Sequence, residues 1–199
     1  MPKGASGRSF HSTAGGNVEA EYLQLAGPRV MRAAATVLDS ITSKAPELKP
    51  FLNLLELNQA DIRTQGVLAF YDTFNRNVVI GNKMVDGYTP ADNGHLVVPS
   101  FEGTVAHEIG HALSYHKQDG FRSVEKAIDI AYKQYNRGNA NKLSRSDFIG
   151  TISRYAGASP HEAFAEAFAD WSVNGANANR ASTMIVKYWR GTRVRGEKW

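Results

Sequence analysis

The chain is 199 residues long and 42% hydrophobic, which suits one compact domain with a core of its own. It contains no Cys, which excludes disulfides and thiolate metal ligands. It also has no run of about 18 apolar residues, which excludes a membrane-spanning helix. The formal net charge of +4 sits at one end: Lys187, Arg190, Arg193, Arg195 and Lys198 are balanced there only by Glu197, and the body is near neutral.

Residues 1–16 are rich in Gly and Ser, with His11 among them, show no periodicity and read as a flexible tail. Their first nine lack the apolar stretch of a secretory signal, and a Cys-free chain suits the cytosol as well as secretion, so localisation is open. The folded domain is expected over 17–190, followed by a basic tail over 191–199. Asn17 is read as capping a helix through Tyr22, Leu23, Leu25 and Ala26. A second helical run, Val30–Ile41, is divided from it by Pro28. Leu48–Leu57 reads as a short helix interrupted by Pro50. Val67–Tyr71 and Val78–Ile80 are β-rich runs around a polar turn, the outline of a hairpin. A turn-rich loop over 81–94 leads to a short strand, His95–Val98, ended by Pro99. His95, at that strand's end, is either a polar contact near the cleft or surface decoration. Ser100 then offers a helix cap, with Glu102 in the first turn.

That helix carries His107-Glu108-Ile109-Gly110-His111. Histidines four apart project from one helix face and can grip one ion. Glu108 lies about 100° round the helix from His107, beside the ion rather than on it. This is the HExxH pattern of zinc peptidases: two imidazole ligands and a carboxylate placed to take a proton from water. Gly110 costs roughly 1 kcal/mol against Ala inside a helix, which points to a packing or access reason.

Further on, Ser123–Tyr135 has helical spacing and ends at Asn136. Pro160 in the first turn opens another helix after Ser159, and a last helix spans Ala181–Arg190. Helices, a small mixed sheet, then helices carrying the site make an α+β fold. A catalytic zinc takes three protein ligands and keeps one open position. Lys117 stands where a metzincin would place its third histidine, and His116 lies about 140° from His111 round the helix, so neither completes the set. The helix from Pro160 instead presents Glu162, Glu166 and Asp170 at i, i+4 and i+8, among Ala165, Ala169 and Val173. Such a row is either a solvated face or, with another helix close by, a set of buried acids that require a cation or donors.

Tyr155 precedes Glu162 by seven residues, in front of the run Glu-Ala-Phe-Ala-Glu-Ala-Phe. Over roughly 77–171 this resembles the gluzincin peptidases typified by the catalytic domain of anthrax lethal factor and the secreted Pro-Pro endopeptidases. The resemblance implies a zincin-like metallopeptidase domain with Zn2+ held by His107, His111 and Glu162. It makes Glu108 the general base, Tyr155 an active-site hydroxyl, and Glu166 an acceptor that orients a ligand histidine. It also implies a protein or peptide substrate, and related domains occur as toxin or effector modules and beside phage head proteins. A competing register pairs Glu166 as ligand with Asp170 behind it, as in thermolysin-like enzymes; Tyr155 would then lie eleven residues from the ligand, and the seven-residue spacing favours Glu162. His161 is expected to be exposed or to line the cleft, and Phe168 and Trp171 to be core. Two rivals stand beside the peptidase reading. One is a non-catalytic interaction module with a zinc site, against which Glu108 and Tyr155 argue. The other is a nucleic-acid-binding protein using the basic tail with Tyr188, Trp189 and Trp199, against which the near-neutral body argues.

Overall fold

The computed structural model describes residues 8–12, 16–88, 90, 92–115, 122–137 and 140–191. Five strands come first: β1 (Arg8–Ser12), β2 (Gly16–Leu25), β3 (Glu56–Ile62), β4 (Ala69–Asp72) and β5 (Asn77–Gly81). They close in the order β1-β2-β3-β5-β4. All neighbours are antiparallel except β3 and β5, and the ring closes through one pairing, Ser12 with Asp72.

The β4–β5 hairpin forms as its two β-rich runs and polar turn predict, with Ala69 opposite Ile80 and Asp72 opposite Asn77. Its turn is held by the Asp72 carboxylate, which accepts from the Phe74 and Asn75 amides, while Arg76 takes a left-handed φ of 59°. The period-2 pleat splits the hairpin's side chains between two layers. Phe70 and Val79 join Ala60 and Ile62 in a small core inside the ring, and Tyr71, Val78 and Ile80 face the helices.

The N-terminal expectations require correction. Residues 17–25 are strand rather than helix, and Arg8–Ser12, expected within the flexible tail, pairs with them. Val18-Glu19-Ala20-Glu21-Tyr22 alternates with period 2, and the segment pairs with β1 just ahead of it in sequence and with β3 further on. Pro28 does not divide a helix; it sits in the first turn of α1 (Pro28–Lys44), where its missing N–H leaves no intrahelical bond unmade. The helix expected over 48–57 is confined to a 3-10 turn (Pro46–Leu48) and α2 (Lys49–Leu52), and β3 takes over from Glu56. No strand forms over 95–98.

The remaining helices are α3 (Asn82–Val85), α4 (Phe101–Tyr115), α5 (Val124–Tyr135), α6 (Arg145–Gly150), α7 (Pro160–Asn174) and α8 (Arg180–Arg190). Ser100 Oγ caps α4 by accepting from Gly103 N at 2.9 Å, and Ser123 and Ser159 cap α5 and α7. The centre of the molecule is α7, buried continuously from Glu162 to Ser172 and packed most extensively on α4. Phe164, Phe168, Trp171 and Trp189 form the aromatic part of this core, with neighbouring ring centroids 4.8–5.9 Å apart. Where the two helices cross, a Cβ on Gly110 would stand 2.8 Å from the Ala165 Cα. The crossing is therefore a backbone-to-backbone contact that only glycine permits, and this is the packing reason behind Gly110.

The end of the chain is partly structural. Trp189 is core, Arg190 pairs with Glu47 at 2.8 Å and donates to Lys44 O, and Lys187 lies over its own neighbour Tyr188. Arg193, Arg195, Lys198 and Trp199 lie outside the described residues, as do His116 and Lys117. No helix among the described residues is long and apolar enough to cross a membrane.

Candidate metal centre

Two helices meet face to face to form the site. The α4 helix presents His107, Glu108 and His111; α7 presents Glu162 in its first turn and Glu166 one turn on. All five are buried, with Glu162 4% exposed and Glu166 and Asp170 2% each, so the acidic row of α7 is not a solvated face. Ser159 Oγ accepts from the Glu162 amide at 3.1 Å, which fixes where α7 begins and places Glu162 at its positive end.

Glu162 Oε2 lies 3.1 Å from His107 Nε2 and 3.1 Å from His111 Nε2. The three residues offer ligand atoms that all fall within 4.8 Å of one another. Ligands about 2.0–2.1 Å from a tetrahedral zinc stand about 3.3 Å apart, close to these separations. The donor chemistry makes the same demand. His107 Nδ1 lies 2.8 Å from Glu166 Oε1 and donates to it. In a neutral ring that bond turns the bare Nε2 lone pair toward the Glu162 carboxylate. Two lone pairs opposed in a buried site repel, so a cation belongs between them: a proton on the imidazole, or a metal ion. Burial alone would depress His107, but hydrogen bonds to Glu162 and Glu166 outweigh it and raise its pKa to about 10. Burial holds His111 neutral, at about 4. Glu162 is pushed up by burial, yet its bonds to the two histidines prevail and hold it at about 2. The residues present therefore fit a divalent metal ion.

Glu108 stands beside this group and not in it. One carboxylate oxygen accepts from the Tyr71 amide of β4, while Oε2 is buried and has no hydrogen-bond partner among the described residues. Burial raises its pKa to about 7. Tyr155, in the one-turn 3-10 helix Tyr155–Ala158, stacks on His107 with centroids 5.8 Å apart. Burial, with the Glu162 and Glu108 carboxylates nearby, raises the pKa of its hydroxyl. His107, Glu108, His111, Tyr155 and Glu162 all line one cavity of about 330 Å³, whose other walls include Leu68, Ala69, Val98 and Thr104.

His95 lines that cavity too, its ring 5.2 Å from Tyr155. Val97 does not extend a sheet because its N–H is directed to Glu166 Oε2, at 2.7 Å. His161 is not part of the cavity wall: it stacks on Tyr115 at 4.2 Å, with Nδ1 3.1 Å from Ser114 Oγ. Asp170 does not stand behind Glu166; it accepts from Asn174 Nδ2 and Asn179 N, both at 2.8 Å, and joins α7 to α8. Two contributors carried no sequence signal, because the Tyr71 and Val97 donors are main-chain groups.

These positions rank two variants. Glu162→Ala removes the oxygen facing both histidines and is expected to weaken zinc binding severely. Glu166→Ala leaves all three candidate ligand atoms in place and is expected to cost roughly 10–100-fold in affinity, as outer partners of metal ligands do. Competition with a graded chelator measures both; greater zinc loss in Glu166→Ala would reverse the roles of the two acids. Compared with known proteins, the chain matches no family model, no curated protein and no solved structure.

Proposed function

We propose that the chain is a zinc-dependent endopeptidase built on a zincin-like α+β domain, with His107, His111 and Glu162 as metal ligands. The observation that carries this reading is the pairing, in one cavity, of a buried two-imidazole, one-carboxylate group with a buried carboxylate oxygen that nothing among the described residues satisfies. An unsatisfied buried acceptor costs about 1–3 kcal/mol or more, and a metal site that served only the fold would not need one there. The site's imidazole and carboxylate donors suit zinc among the common divalent ions.

Zinc bound there supplies a Lewis acid, acidifying water toward neutrality and polarising a carbonyl oxygen. The chain's own residues do the rest. Glu108 accepts the proton of the attacking water on Oε2, held in aim by its other oxygen on the Tyr71 amide, and returns it to the leaving amine. Tyr155 directs its hydroxyl to the oxygen on which negative charge develops, a contribution of about 3 kcal/mol for a well-placed donor. Glu166 fixes the His107 ring through Nδ1 so that Nε2 faces inward.

The nucleic-acid alternative loses part of its surface, because Trp189 is core and Arg190 is engaged by Glu47 and Lys44. A cleavage-site profile on a proteome-derived peptide library tests the proposal. Zinc-loaded chain is expected to give new peptide termini, which vanish with chelator and return with about one equivalent of zinc. Cleavage that ignores the chelator, or zinc-loaded chain that cuts nothing, would reject it.

A further inference from the structure

The two ligand histidines are held differently. His107 is oriented through its ring, because Nδ1 donates to Glu166 Oε1 at 2.8 Å. His111 has no such acceptor: its Nδ1 is buried without a hydrogen-bond partner among the described residues. Packing and the placement of α4 against α7 are left to aim its ring. Along the crossing the two helices run antiparallel, and partners ascend on α4 as they descend on α7. His107 meets Glu166, His111 meets Glu162 at 3.1 Å, and Ser114 meets His161 at 3.1 Å. Ser114 lies in the last turn of α4 and His161 in the first turn of α7, so theirs is the outermost of the three pairs. Ser114 Oγ also donates to the His111 carbonyl at 2.9 Å. A hydroxyl carries one hydrogen, so toward His161 it accepts and the His161 Nδ1–H donates. One oxygen thus joins the main chain of His111 to the chain neighbour of Glu162. Tyr115 stacks on the His161 ring, 4.2 Å between centroids and 19° from parallel, and fixes the plane in which it lies.

We propose that Ser114 and His161 are a positioning pair that sets His111 against Glu162, at the end of the helix crossing opposite Glu166. The inference rests on the metal-site reading for its effect on zinc and is independent of peptide cleavage. Ser114 holds the backbone of His111, His161 holds the first turn of α7, and their shared hydrogen bond fixes one relative to the other. Breaking that bond loosens the 3.1 Å approach of His111 to Glu162 without removing a ligand atom.

Two measurements on the full chain test this, and neither uses turnover. In the first, nitrogen NMR is recorded on metal-free chain carrying isotope-labelled histidine. The His111 and His161 signals are assigned among the six histidines by their loss in His111→Ala and His161→Ala. Wild-type His161 is expected to carry its proton on Nδ1 and a bare Nε2. Ser114→Ala and His161→Ala are both expected to shift or broaden the His111 signal. His161→Asn is expected to restore it, because asparagine places an amide donor where Nδ1 stands. In the second, competition with a graded chelator is expected to show zinc binding weakened about tenfold in Ser114→Ala and in His161→Ala. The double variant is expected to lose no more than about threefold beyond either single change, since both break one bond, and His161→Asn to stay within about threefold of wild type. A His111 signal unmoved by both variants overturns the proposal, as does wild-type zinc affinity in Ser114→Ala. So do additive losses in the double variant, or His161→Asn binding zinc no tighter than His161→Ala, which would mark the ring stack and not the hydrogen bond as the contact that counts. A chain that binds no zinc while its His111 signal responds to both variants and recovers in His161→Asn removes the metal reading and supports the placement of His111 by this pair.

Discussion

Glu108→Gln is expected to retain its zinc and its fold while losing about a thousandfold or more in kcat, the range that a removed general base spans. The substitution is nearly isosteric. Glutamine keeps an oxygen that can accept from the Tyr71 amide, so the α4–β4 contact survives. Its amide nitrogen then occupies the place of Oε2 at the cavity and has no lone pair with which to take a proton. None of the three atoms grouped for the metal belongs to this residue, so metal content should stay at the wild-type level. Steady-state kinetics on a cleaved peptide, with metal analysis of the same sample, separate the two quantities. Unchanged turnover would remove Glu108 from the mechanism, and loss of zinc along with activity would make it a ligand.

The double variant His107→Ala/His111→Ala is expected to fall from about one zinc per chain to none after dialysis. The loss should exceed the roughly 10–100-fold that outer-partner changes cost, since two of three ligands go and Glu162 alone remains. Removing both imidazoles also strips Glu162 of its 3.1 Å partners inside the core, and breaking a buried charge pair costs about 3–5 kcal/mol. The variant should therefore melt earlier than wild type even when both are stripped of metal. Metal analysis and thermal unfolding followed by circular dichroism record the two effects. Full zinc occupancy in the double variant would mean that the ion is held elsewhere.

How far the sequence reveals this molecule depends on the range of the forces involved. The i, i+4 histidines, the Ser100 and Ser159 caps and the hairpin around Asp72 are local arrangements, and residues within a few positions of each other disclose them. Tyr22, Leu23, Leu25 and Ala26 suggest a helix from within, but the 17–25 segment is a strand because it pairs with β1 on one side and with β3, more than thirty positions away, on the other. The same holds for the end of the loop. Val97 reads as strand by composition, yet its amide is bonded to a carboxylate sixty-nine positions on, and no ladder forms. At the site, residue types carrying chemistry were visible. Main-chain donors were not, because every residue except proline has one.

The distance along the chain between His111 and Glu162 has a further consequence. They stand fifty-one positions apart, with all of α5 and α6 between them. An ion gripping both would close a large covalent-like loop, and cross-linking a loop of that size removes unfolded-chain entropy worth about 4 kcal/mol. In a chain without a single cysteine, metal occupancy would thus do for the C-terminal half what a disulfide does for a small secreted protein. Heat tolerance and turnover would then rise and fall together, because one ion would serve both as reagent and as clasp.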